Sequence, residues 1–189
     1  IYNNLDKSSH YNFRARQQLH GVISELNDLP KDQVTIGSGS GEILEVASLI
    51  ANMESGSVVT PDPTFQQILR YASSMGSEII RVPVRPDMNI DLAAMKRAIR
   101  KDTRLVYIVN PNNPIPSIVA KKELEEFVLE VSQKCMVLVD EAYYEFVEDP
   151  SYSSMIGLVR EGHKNILVSR TASKIHGMAG LRIGFGFAH

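Results

Sequence analysis

"QVTIGSGSGEILEVASLIANM", residues 33–53, decides how the rest of this chain is read. A short apolar strand runs into a glycine-serine turn. A helix then follows, with Ile43, Leu44, Ala47 and Ile50 recurring on one face. Strand, tight turn and helix together make half of a crossover unit.

The same alternation recurs along the chain. "SVVTPD" (57–62) reads as a short strand closed by proline. "TFQQILRYASSMG" (64–76) reads as a helix with Thr64 as N-cap and Gly76 just past its end. "SEIIRVPV" (77–84) is a strand, and "DLAAMKRAIRKD" (91–102) a helix capped by Asp91. "RLVYIVN" (104–110) is a buried strand that "PNNPIP" cannot continue, because proline lacks the N–H donor. "AKKELEEFVLEVSQK" (120–134) is an amphipathic helix with Leu124, Phe127, Val128 and Val131 inward. "MVLVDEAYYEF" (136–146) and "NILVSRTASK" (165–174) are strands running into polar residues, and "LRIGFGFA" (181–188) is a candidate last strand. Before all of these, Leu19, Val22, Ile23 and Leu26 space as a helix ending near "NDLP" (27–30).

Strands alternating with helices predict an α/β fold: three layers, α/β/α, around a mostly parallel central sheet. Ligands of such sheets bind beyond the C-terminal strand ends. The polar clusters "GSGSGE", "NPNNP", "DEAYY" and "SRTASK" each follow a predicted strand, so parallel strands bring all four to one edge. No composition shift marks a linker, so residues 1–189 read as one domain, entered through a helical segment over 1–30. No helix closes the last strand, which predicts a fragment of a longer protein.

Composition excludes several classes. The chain has 189 residues, 43% apolar and 22% charged, as soluble domains do. Twenty basic residues against 22 acidic ones give net charge −2, no basis for nucleic acid or an anionic membrane as partner. Cys135 is the single cysteine and sits in "CMVLV", a buried structural thiol rather than a nucleophile. No apolar run has membrane-spanning length and no signal-peptide layout opens the chain, which predicts a cytoplasmic protein.

Each cluster taken alone has an ordinary explanation. "IGSGSGEIL" (36–44) suits a phosphate at a helix N-terminus, but it also reads as a tight turn. Glu42 stands where the dinucleotide fingerprint has its third glycine, and no Gly-Lys-Ser/Thr follows. "VNPNNP" (109–114) offers asparagine donors or a plain turn. Asp140 ends an apolar strand, where a carboxylate is costly unless it meets a cation or several donors; it could also cap a neighbouring turn. Tyr144 and Phe146 read as packing residues. Lys174 lies in "SRTASK", eight residues before Arg182, where a sheltered lysine becomes a nucleophile and a surface lysine does nothing. Thr171, Ser173 and Arg182 suit a phosphate.

Together, a phosphate cradle, an asparagine, a buried aspartate, a tyrosine and a lysine suit pyridoxal 5'-phosphate. The chain resembles the fold-type-I pyridoxal-phosphate aminotransferases, in the class I/II branch around the histidinol-phosphate aminotransferases. "TASKIHGMAGLRIG" and "VDEAYYEF" carry most of that resemblance, with "NPNNP" in support. The resemblance implies a Schiff base at Lys174, which also moves the proton, and Asp140 paired with the pyridine nitrogen. It implies Tyr143 and Asn113 on the ring oxygen, and Phe65 of "DPTF" stacked on the ring. It implies phosphate binding by Ser40 and Gly41 with Gly39 nearby, completed by Thr171, Ser173 and Arg182. Tyr11 would reach the phosphate of a neighbouring subunit in a homodimer. No residue is assigned to a metal.

The implied activity is amino transfer between an amino acid, or an amine derived from one, and a 2-oxo acid. Decarboxylases, cyclising or β-eliminating lyases and a cofactor-binding sensor domain remain as alternatives. Two departures stand out: "NNPIPS" places Ile115 and Pro116 where the family continues Thr-Gly, which puts the loop path near Asn113 in question. The family is also about twice this length, so its small C-terminal domain, with the arginine that grips the substrate carboxylate, is expected to be absent.

Overall fold

A computed structural model describes Ser9 and residues 11–189. In chain order the elements are α1 (Phe13–Leu26), β1 (Val34–Ser38), α2 (Ser40–Ala51), β2 (Ser57–Asp62), α3 (Gln67–Ser74), β3 (Glu78–Pro83), α4 (Leu92–Ala98) and β4 (Thr103–Val109). They continue with α5 (Lys121–Val131), β5 (Met136–Asp140), α6 (Ile156–Arg160), β6 (Ile166–Thr171) and β7 (Ile183–Ala188). Residues 1–8 and 10 of the expected lead-in lie outside the described residues.

The seven strands form one sheet in the order β1-β7-β6-β5-β4-β2-β3. Strands β6, β5, β4, β2 and β3 pair parallel. β7 is antiparallel to both β6 and β1, so β1 runs the same way as the rest. The mostly parallel sheet expected from the alternation is present, and its one reversed strand is "IGFGFA".

Strand β4 shows why both faces are covered. Leu105, Tyr107 and Val109 point to one side, and Val106 and Ile108 to the other. The first set packs with Leu44 and Ala47 of α2 and with Ile68, Leu69 and Ala72 of α3. The second packs with α4, α5 and α6. Leu124, Phe127, Val128 and Val131 of α5 are all buried, as their spacing requires; each is worth roughly 1.5–3 kcal/mol. Cys135 is buried, and desolvation pushes its thiol up to about 11, as suits an inert structural thiol.

The first expected helix is present as α1 and ends at Leu26, while the expected cap of α3 fails for a physical reason. In α1 the small residues Gly21 and Ser24 are buried, whereas Val22 and Leu26 are exposed. The Ser24 hydroxyl donates to the Leu29 carbonyl, and the space beside Gly21 is taken by the Lys31 side chain, so the helix lies close on the segment that follows it. Thr64 does not cap α3, whose N-cap is Gln66. Its hydroxyl donates instead to Asn112 Oδ1 at 3.2 Å, a tertiary partner that outcompetes the local one. Asp91 does cap α4, accepting from the Ala94 N–H at 2.8 Å, and Gly76 adopts φ +88 just beyond α3.

Candidate active site

The C-terminal ends of β4, β5 and β6 and the N-terminus of α2 enclose a cleft of about 220 Å³. Asn113, Asp140, Tyr143 and Lys174 line it, as do Ser40, Gly41, Phe65, Thr171, Ser173 and Arg182. All four polar clusters therefore meet where parallel strands deliver them.

One end of the cleft is built for an anion. The first-turn N–H groups of a helix lack intrahelical acceptors and carry partial positive charge, and α2 turns its first two residues to the cleft. Gly39 precedes them at φ +78, and a Cβ there would overlap the Arg182 guanidinium. Gly39 does not itself line the cleft; its bare α-carbon lets Arg182 approach. Arg182 donates to the Ser173 hydroxyl at 3.3 Å and to the Ala179 carbonyl at 2.9 Å. Thr171 Oγ1 accepts the Ser173 N–H at 3.1 Å, turning the chain after β6. Glu42 closes the turn before α2 by accepting the Ser38 N–H at 2.5 Å, which gives that acidic residue a structural role.

The floor holds Asp140, only 2% exposed. Among the described residues it has no ion pair. Ser169 donates to its Oδ1 at 2.9 Å, and the Tyr107 hydroxyl lies 3.4 Å from its Oδ2. Burial pushes its pKa up to about 6, while these donors and the Ala142 N–H pull the other way. A buried carboxylate with only neutral partners suits a ligand that brings a cationic N–H.

At the other end, Asn113 Nδ2 donates to the Tyr143 hydroxyl at 3.4 Å. Lys174 Nζ lies 5.1 Å from the centre of the Tyr143 ring. Despite Ile115 and Pro116, the asparagine loop is well tied. The Asn110 side chain accepts from the Val119 N–H at 2.9 Å, and Asn112 Nδ2 donates to the Pro63 carbonyl at 3.1 Å, which links this loop to the one carrying Phe65.

Lys174 itself is exposed, as are Ile175, Met178 and Leu181 after it, because nothing in the described chain covers the loop from β6 to β7. Of the two fates open to a lysine in this stretch, the described residues by themselves leave it at the surface. Tyr11 is 91% exposed, stacked on Phe13 with centroids 5.9 Å apart, and does not line the cleft. Phe146, expected to pack, is exposed on the rim of an adjacent groove. Tyr144 does pack, beneath the Arg170 guanidinium at 3.6 Å.

Sequence reasoning missed three features. Gln67 lines the cleft, with its amide over Gly41 where a Cβ would otherwise go. Tyr107 and Ser169 flank the aspartate. Arg170 and Glu141 form a buried ion pair behind it: Arg170 Nη2 and Nε approach Glu141 Oε2 at 3.0 and 3.1 Å, and Nη1 reaches Asn27 Oδ1 at 3.0 Å. Glu141 also accepts from the Ser154 hydroxyl at 2.6 Å and the Met155 N–H at 2.7 Å. A signal existed for the pair, since "DE" and "SR" end adjacent strands.

Comparison with known proteins follows the same lines. The family described as "Aminotransferase class I and II" matches residues 8–189. A histidinol-phosphate aminotransferase of Brevibacillus brevis is 36% identical over 188 residues, which is 100% of this chain and 51% of that protein. One from Moorella thermoacetica is 40% identical over 158 residues, 84% of this chain and 41% of that protein. The crystal structure of the histidinol-phosphate aminotransferase from Clostridium acetobutylicum superposes with TM-score 0.84 at 25% identity, covering 99% of this chain and 55% of that one. The chain thus spans about half the length of the curated relatives it matches.

Proposed function

The chain belongs to the class I and II aminotransferases, and on that premise we propose that it is the cofactor-binding large domain of an enzyme that moves an amino group between an amino acid, or an amine derived from one, and a 2-oxo acid. The carrying observation is that Lys174 and the buried Asp140, which has no ion pair among the described residues, line one cleft with an anion cradle at its end.

The residues fit pyridoxal 5'-phosphate. Gly39 leaves room for Arg182 at the anion end, and Asp140 has neutral partners only. When bound, this cofactor supplies an aldehyde that condenses with amines and a ring that takes up electron density. Asp140 would accept the pyridine N–H, a charge-assisted bond worth about 1.5–3 kcal/mol. Tyr143 and Asn113 would bond the ring oxygen, and Phe65 would pack against the ring. The α2 N-terminus, Thr171, Ser173 and Arg182 would hold the phosphate. The Lys174 amine takes the proton from the substrate α-carbon and returns it as general acid.

Both curated relatives above are named for histidinol phosphate, which supports a phosphorylated amine of that kind as donor. A cytoplasmic homodimer completes the reading. Val46, Leu49 and Ile50 on α2 and Met53 just after it are exposed apolar residues suited to a subunit contact, and the exposed Tyr11 would serve a neighbouring subunit's phosphate. No helix among the described residues is long and apolar enough to cross a membrane.

Incubation with histidinol phosphate and 2-oxoglutarate tests the reaction class. Amino transfer yields glutamate and the donor's carbonyl product in equal amounts. Release of inorganic phosphate by elimination, without glutamate, contradicts it.

A further inference from the structure

Tyr107 sits in the middle of β4 with its side chain fully buried among Leu44, Ile68 and Leu138. Phenylalanine would fill that volume without a hydroxyl to desolvate. A buried phenol O–H needs a partner, and the one it has is Asp140 Oδ2, at 3.4 Å. The other oxygen, Oδ1, takes the Ser169 hydroxyl at 2.9 Å. Strand register explains the arrangement. Val109 pairs with Asp140, and Asp140 with Ser169, across three adjacent parallel strands. Tyr107 lies two residues before Val109, so it shares that face of the sheet.

The charged and titratable surroundings are few. Lys174, Tyr143 and Arg182 line the same cleft from its rim. Glu141 is next on the strand, but its side chain is engaged with Arg170, Ser154 and Met155. From α2 and α3 the cleft receives Ser40, Gly41 and Gln67, none ionisable, and Glu45 of α2 faces Tyr71 of α3.

We propose that Tyr107 and Ser169 are positioning residues for Asp140: one hydroxyl donor on each carboxylate oxygen keeps the group ionised and its plane aimed into the cleft. The proposal rests on the reading of Asp140 as partner of the cofactor ring. Burial favours the neutral acid, and two O–H donors favour the carboxylate. A neutral Asp140 would offer a proton where the ring needs an acceptor. The site thus keeps its anion with neutral donors, the two hydroxyls and the Ala142 N–H, which leave the negative charge for the ligand to neutralise.

The test is a carboxyl 13C NMR titration of Asp140 in the cofactor-free chain, with the resonance assigned by Asp140→Asn. Tyr107→Phe should raise the midpoint by about 0.5–1 pH unit and Ser169→Ala by about 1–2. In the holoenzyme the acid limb of kcat/KM should move up by the same amounts. Midpoints unmoved in both variants, whatever their melting temperatures, overturn the proposal and leave the two residues as packing. Borohydride labelling of the wild type separates the two levels. A labelled wild type with unmoved titrations overturns this proposal alone; an unlabelled wild type overturns the parent reading and this proposal together.

Discussion

The Arg182 guanidinium lies against the bare α-carbon of Gly39, so the start of β7 and the start of α2 are built around each other. Gly39 has φ +78, and Arg182 itself takes φ +53. A side chain at 39 meets two obstacles: the positive-φ extended backbone that is nearly exclusive to glycine, worth roughly 1–3 kcal/mol, and the guanidinium. Gly39→Ala is therefore expected to weaken pyridoxal-phosphate binding about tenfold or more, read by absorbance titration. Far-UV circular dichroism should stay unchanged.

Asp140 stores instability that the ligand relieves. Its pKa rises from 3.8 in the unfolded chain to about 6 in the fold, mainly through burial. A raised carboxylate stabilises the fold fully below pH about 4, and that contribution is lost as pH climbs through 6. Asp140→Asn removes the titration. The cofactor-free variant should gain about 1–3 kcal/mol over the wild type at pH 7–8 and little at pH 4, measured by urea unfolding at each pH. The same variant should lose most of its amino-transfer rate.

The Arg170–Glu141 pair ties β6, the loop after β5, and the end of α1 together through Asn27. Removing one partner strands a buried charge, so Arg170→Met should cost about 3–5 kcal/mol in chemical denaturation. Adding Glu141→Gln keeps an acceptor for the Met155 N–H and presents an amide N–H that the Ser154 hydroxyl can accept, while removing the orphaned charge. The double variant should recover at least about 1 kcal/mol relative to Arg170→Met. Additive losses would show that the charges are not coupled.

Much of this was legible in the sequence because it depends on order and period. Strand, polar cluster and helix repeat along the chain, and parallel pairing then fixes where the clusters meet. Ser40, Asn113, Asp140 and Lys174 come together for that reason alone. What escaped depends on register and on partners distant in sequence. Nothing local tells that Thr64 will prefer Asn112 to its own helix, 48 residues away in the chain. Tyr107 reads as one more apolar residue of a buried strand until Asp140 is seen beside it. In α1 the apolar spacing marks the helix but not its buried side, since the close approach of the following segment buries Gly21 and Ser24 and leaves Val22 and Leu26 exposed. Lys174, Ile175, Met178 and Leu181 are exposed among the described residues, which a local reading of small and apolar neighbours does not reveal.

The most direct measurement is reduction of the cofactor-loaded protein with borohydride, followed by peptide mapping. One stable pyridoxyl group on the peptide containing Lys174, absent from Lys174→Ala, is the predicted result. A label on another lysine, or one that persists in Lys174→Ala, contradicts the account.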